Sequence, residues 1–276
     1  MDRKIGIFVK NPALREDGRT VALLSSLREG GCELYDIVSK DDVKADSTMV
    51  LSVGGDGTFL SAAKRVAPIG IPILGVNLGR IGFLSENSPE TVAEAILSGE
   101  YSVEDRSMLY SSIHGGDIVL NEGFWPYALN EVTVHRIGSS VLGIHVTLDG
   151  TPLPTYWADG LLVATSSGST AYSLSVGGPI CMPESKVLII APIAPHNLNV
   201  RPLIVPDSSR VSISVETRDP KVVMSMDNRN LDMSPSWSLE VSMAQFSLKR
   251  IRLAKSNFVK ALTSKLFWGE DIRNNG

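Results

Sequence analysis

Gly54-Gly55-Asp56-Gly57-Thr58 joins an apolar run, Thr48–Val53, to a segment, Phe59–Val66, whose apolar residues recur at helical spacing. A glycine-rich turn from strand into helix directs free backbone N–H groups at an anion, and the helix dipole adds positive potential at the same place. A plain phosphate cradle has no use for a carboxylate, because Asp56 would repel phosphate oxygens. The acid makes sense against another partner: a hydroxyl about to be phosphorylated, or a metal bridging phosphates. Either way the chemistry is phosphoryl transfer.

A second constellation runs from Asp159 to Pro179. The strand-like run Leu161–Ala164 leads into a cluster of hydroxyl residues around Gly168, then Tyr172, then Gly177-Gly178-Pro179. Small hydroxyl residues and glycine let the backbone approach a polar ligand closely, and Tyr172 offers a stacking face with a polar tip. Upstream, Asn130-Glu131 stands at the start of another β-branched run. Taken singly, the hydroxyl-rich segment reads as a Ser/Thr-rich turn and the Asn-Glu pair as a solvated strand edge.

These residues need a frame. Over the first hundred residues strand and helix signals alternate: strands at Ile5–Val9, Glu33–Val38, Met49–Val53 and Ile71–Val76, and a helix at Arg19–Glu29 closed by Gly30-Gly31. Another helix opens at Ser88-Pro89, with Ser88 as N-cap and Pro89 at the first helical position, and should stop near Gly99. Alternation of this kind implies a Rossmann-like parallel sheet flanked by helices, with ligands at the carboxyl ends of its strands. Near Arg106 helix periodicity vanishes. Short β-branched runs follow, among them Val132–Val134, Ile144–Leu148, Val187–Ile190, Val211–Val215 and Leu248–Leu253, with Asp149-Gly150 as a hairpin signal. A last helical segment, Asn257–Trp268, sets Phe258, Val259, Leu262 and Leu266 on one face and is expected to pack back on the first domain. The expected organisation is an α/β domain of residues 1–106 and 256–276 and an all-β domain of residues 107–255, with the active site in the cleft between them.

The chain has 276 residues, 43% hydrophobic and 20% charged, with a formal net charge of −4. Mild acidity without a basic stripe argues against a nucleic-acid partner. No apolar run approaches the ~20 residues of a membrane span, and the N-terminus enters a strand pattern without a signal-peptide h-region. Cys32 and Cys181 form no metal-type spacing and suit a reducing compartment, so a cytoplasmic location is expected. The four histidines, His114, His135, His145 and His196, are scattered and read as structural, and no His/Cys/Asp/Glu cluster has metal-ligand spacing.

The ordered set on one chain is specific. Gly-Gly-Asp-Gly-Thr, then Asn130-Glu131, then the block Gly168-Ser169-Thr170-Ala171-Tyr172-Ser173-Leu174-Ser175-Val176-Gly177-Gly178-Pro179 closely resembles the NAD kinase family. The likeness extends to Gly82-Phe83-Leu84, Glu104-Asp105-Arg106 and Arg201-Pro202-Leu203. NAD kinases phosphorylate the 2′-hydroxyl of the adenosine ribose of NAD, giving NADP. By that resemblance Asp56 holds the hydroxyl and finally takes its proton, and Gly57 lets the ligand approach the backbone. Asn130 and Glu131 match the pair that grips the ribose hydroxyls and the adenine edge. Thr170, Ala171, Tyr172 and Ser175 match the dinucleotide-binding segment, with Ser167 nearby. Phe83 would pack against a base. Asp159 matches an acid that can reach a neighbouring subunit's ligand around the nicotinamide end, and Ala194 aligns only loosely.

The resemblance also implies NAD with ATP or inorganic polyphosphate as substrates, and a homodimer or homotetramer; the chemistry of the charged donor phosphates calls for a divalent cation, most simply Mg²⁺, carried on the nucleotide. The chain departs from the pattern at Ser166, where many relatives have proline, and at Trp157, where a basic residue is common. It departs again at Asp227-Asn228-Arg229, where Asp-Gly-Gln is common, so Arg229 is given no role. Two other readings compete. A lipid kinase of the diacylglycerol or sphingosine type shares the Gly-Gly-Asp-Gly-Thr loop but not the Gly-Ser-Thr-Ala-Tyr block. A non-catalytic dinucleotide sensor would keep the pocket without the chemistry.

Overall fold

A computed structural model of the chain describes residues 3–79, 82–116, 118, 120 and 124–269. The chain divides into two compact units, residues 1–105 with 248–276, and residues 106–247. The expected extent of the first domain beyond residue 269 lies outside the described residues.

The first unit is built on a six-stranded sheet. In spatial order its strands are Cys32–Ile37, Arg3–Val9, Met49–Val53, Ile73–Val76, Leu248–Leu253 and Tyr101–Arg106. The first five run parallel to their neighbours. Met49–Val53, buried along its whole length, is apolar except for Ser52, as expected of a strand in a sheet covered on both faces. The helix after the glycine turn spans Asp56–Val66 and buries Phe59, Ala62, Ala63 and Val66, one stripe at the helical period. It begins three residues before the first apolar position, so Asp56 is part of the helix and not of the turn.

The helix Pro89–Ser98 opens and closes where proline at its first position and Gly99 after its last predict, although the Ser88 side chain makes no capping bond. At the end of the chain a helix spans Phe258–Leu266, with Asn257 capping the Lys260 N–H. It belongs to the first unit, but its inner face is Ala261 and Leu262, while Val259 is exposed.

One expected placement is corrected. Leu248–Leu253 lies in the parallel sheet, with Arg250 opposite Ile73, and not in the β domain. Its pattern, with Leu248, Ile251 and Leu253 set among three cations, fits either environment, and nothing local to the segment distinguishes them.

The second unit is a β-sandwich. One sheet orders Leu203–Pro206, Val187–Ile193, Gly160–Thr165, Glu131–Arg136, Val222–Met226 and Arg229–Met233, all antiparallel. A second sheet contains Leu142–Leu148, Val211–Glu216, Ser238–Met243 and Leu109–His114, with the hairpin at Asp149-Gly150 pairing Thr151 with Leu148. Val132, Val134, Leu161 and Val163 from the first sheet and Val146, Ile213 and Val241 from the second fill the shared core. Alternation then puts Glu131, Thr133 and His135 on the other face of the first sheet, beside Leu162 and Ala164. Val176 and Cys181 pack against the apolar cluster formed there by Leu162, Ala164, Ile189, Ala191 and Ile193. That face carries the residues of interest.

Candidate functional site

In the first unit everything turns on the Asp56 carboxylate. Gly55 occupies the N-cap position and has no side chain to cap with, so the acid one residue on is free to bind elsewhere. It reaches the segment after Gly82. Its Oδ2 accepts the Phe83 N–H at 3.0 Å, and its Oδ1 accepts the Leu84 and Ser85 N–H groups at 3.1 and 2.8 Å. Gly82 is required there: a Cβ at that position would stand 2.0 Å from Asp56 Oδ1. Two oxygens thus take three donors, and Oδ2 keeps acceptor capacity for one more. Gly57, exposed and with open space where a Cβ would stand, follows directly.

Charged residues hold the same segment from its other side. Lys265, on the C-terminal helix, donates to the Gly82 carbonyl and lies 4.8 Å over the Phe83 ring and 3.7 Å from Glu86. Arg250, on the returning strand, donates to Glu86 Oε1 at 2.6 Å and to the Phe83 carbonyl at 3.5 Å. Burial pushes the Lys265 ammonium below the usual lysine range, opposed by Glu86 and Asp56. The Phe83 ring meets Phe258, centroids 6.1 Å apart, so its ring contacts among the described residues are this aromatic and the Lys265 cation. Neither Arg250 nor Lys265 is visible as a site-holding residue in sequence, since each acts on a segment more than 160 positions away.

In the second unit the antiparallel register brings Asn130-Glu131 to the end of the strand Gly160–Thr165, where the hydroxyl cluster begins. Thr165 N–H donates to the Asn130 carbonyl at 2.9 Å and Thr165 Oγ1 to the Leu129 carbonyl at 2.6 Å. Thr165 Oγ1 also accepts the Gly168 N–H at 3.1 Å. Gly168 presses on this junction, where a Cβ would lie 2.1 Å from the Asn130 carbonyl oxygen. The two sequence motifs are therefore one structure. Ser167–Thr170 forms a single 3-10 turn, with Ser167 and Ser169 buried, and Tyr172–Ser175 a short helical turn; Thr170 and Ala171 are half-buried, and Ser175 is exposed. Ser166 donates to the Pro183 carbonyl at 2.8 Å.

Glu131 is 7% exposed, and its Oε2 has no hydrogen-bond partner among the described residues. Burial, then the charge of Asp227, pushes its carboxyl up to about 8, opposed by the Tyr172 backbone N–H. Asp227, in the turn between the strands Val222–Met226 and Arg229–Met233, accepts the Asn130 N–H at 2.8 Å and the Leu129 N–H at 3.1 Å. The Arg229 guanidinium stands 4.0 Å from Asp227 and donates to the Trp125 and Tyr127 carbonyls.

Asp159 and Ala194 lie at the opposite end of the same strands. Asp159 takes a two-pronged bond from Arg136, at 2.7 and 3.1 Å, and its N–H donates to the Ile193 carbonyl, beside exposed Ala194 with φ 46°. The positive charge next to Asp159 thus comes from Arg136, while Trp157 is 45% exposed. Tyr172 connects the two ends: its ring stacks on His135, centroids 5.7 Å apart and planes 14° apart. His135, read from sequence as structural, is the floor under a residue expected to bind ligand. Among the described residues no group of three or more His, Cys, Asp or Glu side chains is placed to hold a metal ion.

A carboxylate fixed at the mouth of a glycine turn, on a helix N-terminus that attracts phosphate, is equipment for passing a phosphoryl group to an alcohol. The class is a kinase. Comparison with known proteins narrows it: residues 32–101 match the ATP-NAD kinase N-terminal domain, and residues 129–253 match the ATP-NAD kinase C-terminal domain. An NAD kinase of Bacteroides fragilis is 44% identical over 237 residues, covering 84% of this chain and 80% of the relative. Another, of Porphyromonas gingivalis, is 36% identical over 295 residues, covering 98% and 100%. The fold is also that of the yeast NADH kinase solved with NADH, with TM-score 0.84 at 24% identity over 99% of this chain and 89% of that one. An NAD kinase of Archaeoglobus fulgidus solved with ATP matches with TM-score 0.76 at 24% identity, over 96% and 98%. The chain belongs to the NAD kinase family.

Proposed function

We propose that this enzyme phosphorylates NAD at the 2′-hydroxyl of its adenosine ribose, giving NADP, with ATP as donor. The observation that carries the reading is the Asp56 carboxylate, held by three backbone N–H groups with acceptor capacity left on Oδ2. In the reaction the ribose oxygen bonds to the terminal phosphorus of the donor as the bridging P–O bond to ADP breaks. Because that transition state is loose, the hydroxyl keeps its proton until late, so Asp56 chiefly aims the oxygen and then receives the proton. A carboxylate fixed by backbone amides needs no reorganisation to do either. Family membership favours this over the lipid-kinase and sensor readings, because the similar curated proteins carry the name NAD kinase.

Asn130 and Glu131 hold the dinucleotide in this reading, with Ser167, Thr170, Ala171, Tyr172 and Ser175 alongside and Asp159 and Ala194 toward the nicotinamide end. Phe83 packs against a base in the same reading. The divalent cation is taken as part of the donor: it travels with the ATP phosphates and neutralises charge that builds during transfer. A coupled assay for NADP with purified protein, NAD, ATP and Mg²⁺ tests the reading directly, and no NADP under any donor would sink it. Repeating it with polyphosphate, and with NADH, sets donor and acceptor preference.

Tyr172→Ala should weaken NAD binding by about tenfold with a smaller change in turnover of bound substrate, the usual worth of one stacking aromatic. Calorimetry showing unchanged affinity would contradict its place in the site. Self-association as a dimer or tetramer belongs to the same reading, and a monomer mass by light scattering at assay concentration would refute it. The two free cysteines fit a cytoplasmic enzyme.

A further inference from the structure

Two carboxyl groups act on each other at the start of the strand Glu131–Arg136, Glu131 and the Asp227 that bonds the Leu129 and Asn130 N–H groups, and their surroundings differ. Asp227 accepts two backbone N–H groups and faces the Arg229 guanidinium at 4.0 Å. Glu131 is buried, and its Oε2 meets no donor among the described residues. Burial raises both carboxyls, but Asp227 is held down by its backbone N–H donors and the Arg229 charge, while Glu131 is pushed further up by the Asp227 charge and opposed only by the Tyr172 N–H, so Asp227 keeps the charge. The proton of the pair therefore belongs to Glu131.

We propose that Glu131 engages the dinucleotide as an uncharged acid, donating a hydrogen bond to it, and that Asp227 is the positioning residue that keeps the proton there. The inference rests on the reading above that Glu131 contacts NAD. Asp227 has a second part in the arrangement: its two accepted bonds, and its own N–H given to the Glu131 carbonyl at 2.9 Å, set the backbone from which Asn130 and Glu131 project.

The groups facing Glu131 are few. Asp227 comes from the turn after Val222–Met226, with Arg229 behind it, and Tyr172 from the short helical turn, itself facing Asp159 and stacked on His135. Burial and the nearby acids push the Tyr172 hydroxyl up, so that group stays neutral in the range concerned, and burial lowers His135, which is neutral there too. A bound dinucleotide excludes water and brings its own phosphate charge, and both disfavour an ionised Glu131 further. The sign follows: NAD affinity is highest with Glu131 protonated and falls as pH rises through about 8.

Calorimetric titration of the full chain with NAD alone, from pH 6.5 to 9, tests this. The wild-type dissociation constant should rise roughly tenfold between pH 7 and pH 9, the ratio expected when only the protonated form binds. In Glu131→Gln, which cannot ionise, that rise should be absent. In Asp227→Asn it should move to lower pH, because Glu131 loses the neighbour that opposes its ionisation. Should Asp227→Asn fail to fold, the wild-type and Glu131→Gln titrations still decide. Affinity that is flat or improves with pH in the wild type, or an alkaline weakening that survives in Glu131→Gln, overturns the proposal. Glu131→Ala separates the two levels. Weakened binding in that variant beside a flat wild-type profile defeats only the proton assignment, whereas unchanged binding removes Glu131 from the NAD site altogether.

Discussion

Asp56→Asn should lower turnover by ~10²–10⁴ while NAD affinity changes little, the span typical for loss of a positioned proton acceptor. The substitution preserves shape and removes two things. An amide offers one acceptor oxygen where the carboxylate offers two, so Leu84 and Ser85 N–H can still be satisfied but the Phe83 N–H then faces an NH₂ group, donor against donor. The ribose hydroxyl loses its proton acceptor at the same position. Separate measurement of kcat and NAD affinity, with a melting curve to show that the 82–86 segment is retained, checks the expectation. Turnover within a few-fold of wild type would take Asp56 out of the chemistry, however well its position suits the role.

Gly168→Ala should be nearly as damaging, by a different route. The added methyl would stand 2.1 Å from the Asn130 carbonyl oxygen and 2.6 Å from its carbon, and both are backbone atoms that no rotamer change can move aside. Either the 3-10 turn lifts or the Asn130-Glu131 backbone is displaced, and the ligand-holding groups part. Overpacking of this kind costs about 1–3 kcal/mol in stability, or a melting-point loss of several degrees for a chain of this size. NAD affinity should fall by at least ~10-fold in addition, since a displacement near 1 Å is enough to ruin a hydrogen-bonded site. Calorimetry and thermal melts on the same preparation measure both, and a variant that binds NAD normally would show that the contact does not position the site.

Much of this arrangement is legible in the sequence because it is encoded over short distances. The helix Asp56–Val66 follows from one apolar stripe, the helix Pro89–Ser98 from a proline and a glycine at its two ends, and the Asp149-Gly150 hairpin from two residues. Asp56, Asn130 and the Gly168–Ser175 block stand out as motifs. What holds them does not. Arg250 and Lys265 read as ordinary surface cations on a strand and a helix, and only the sheet order brings them to Gly82, Phe83 and Glu86. Asp227 looks like a turn residue until the register sets Met226 opposite Val132 and the turn beside Asn130. Leu248–Leu253, three apolar residues among three cations, fits two sheets, and long-range pairing makes the choice. Of the face expected for the last helix, Leu262 is buried and Phe258 and Leu266 are half-buried, while Val259 is exposed and Ala261 joins the buried side.

That returning strand has a consequence for synthesis. Tyr101–Arg106 and Leu248–Leu253 are sheet neighbours, yet about 140 residues of sandwich are translated between them. At ~5–20 residues per second the ribosome needs roughly 7–30 s for that stretch, during which the nascent parallel sheet keeps an unfilled slot beside Ile73–Val76. The sandwich, contiguous in the chain, can complete itself first. Final closure of the earlier unit waits for the strand that follows the sandwich, and with it Arg250, the cation that helps fasten the segment gripping Asp56.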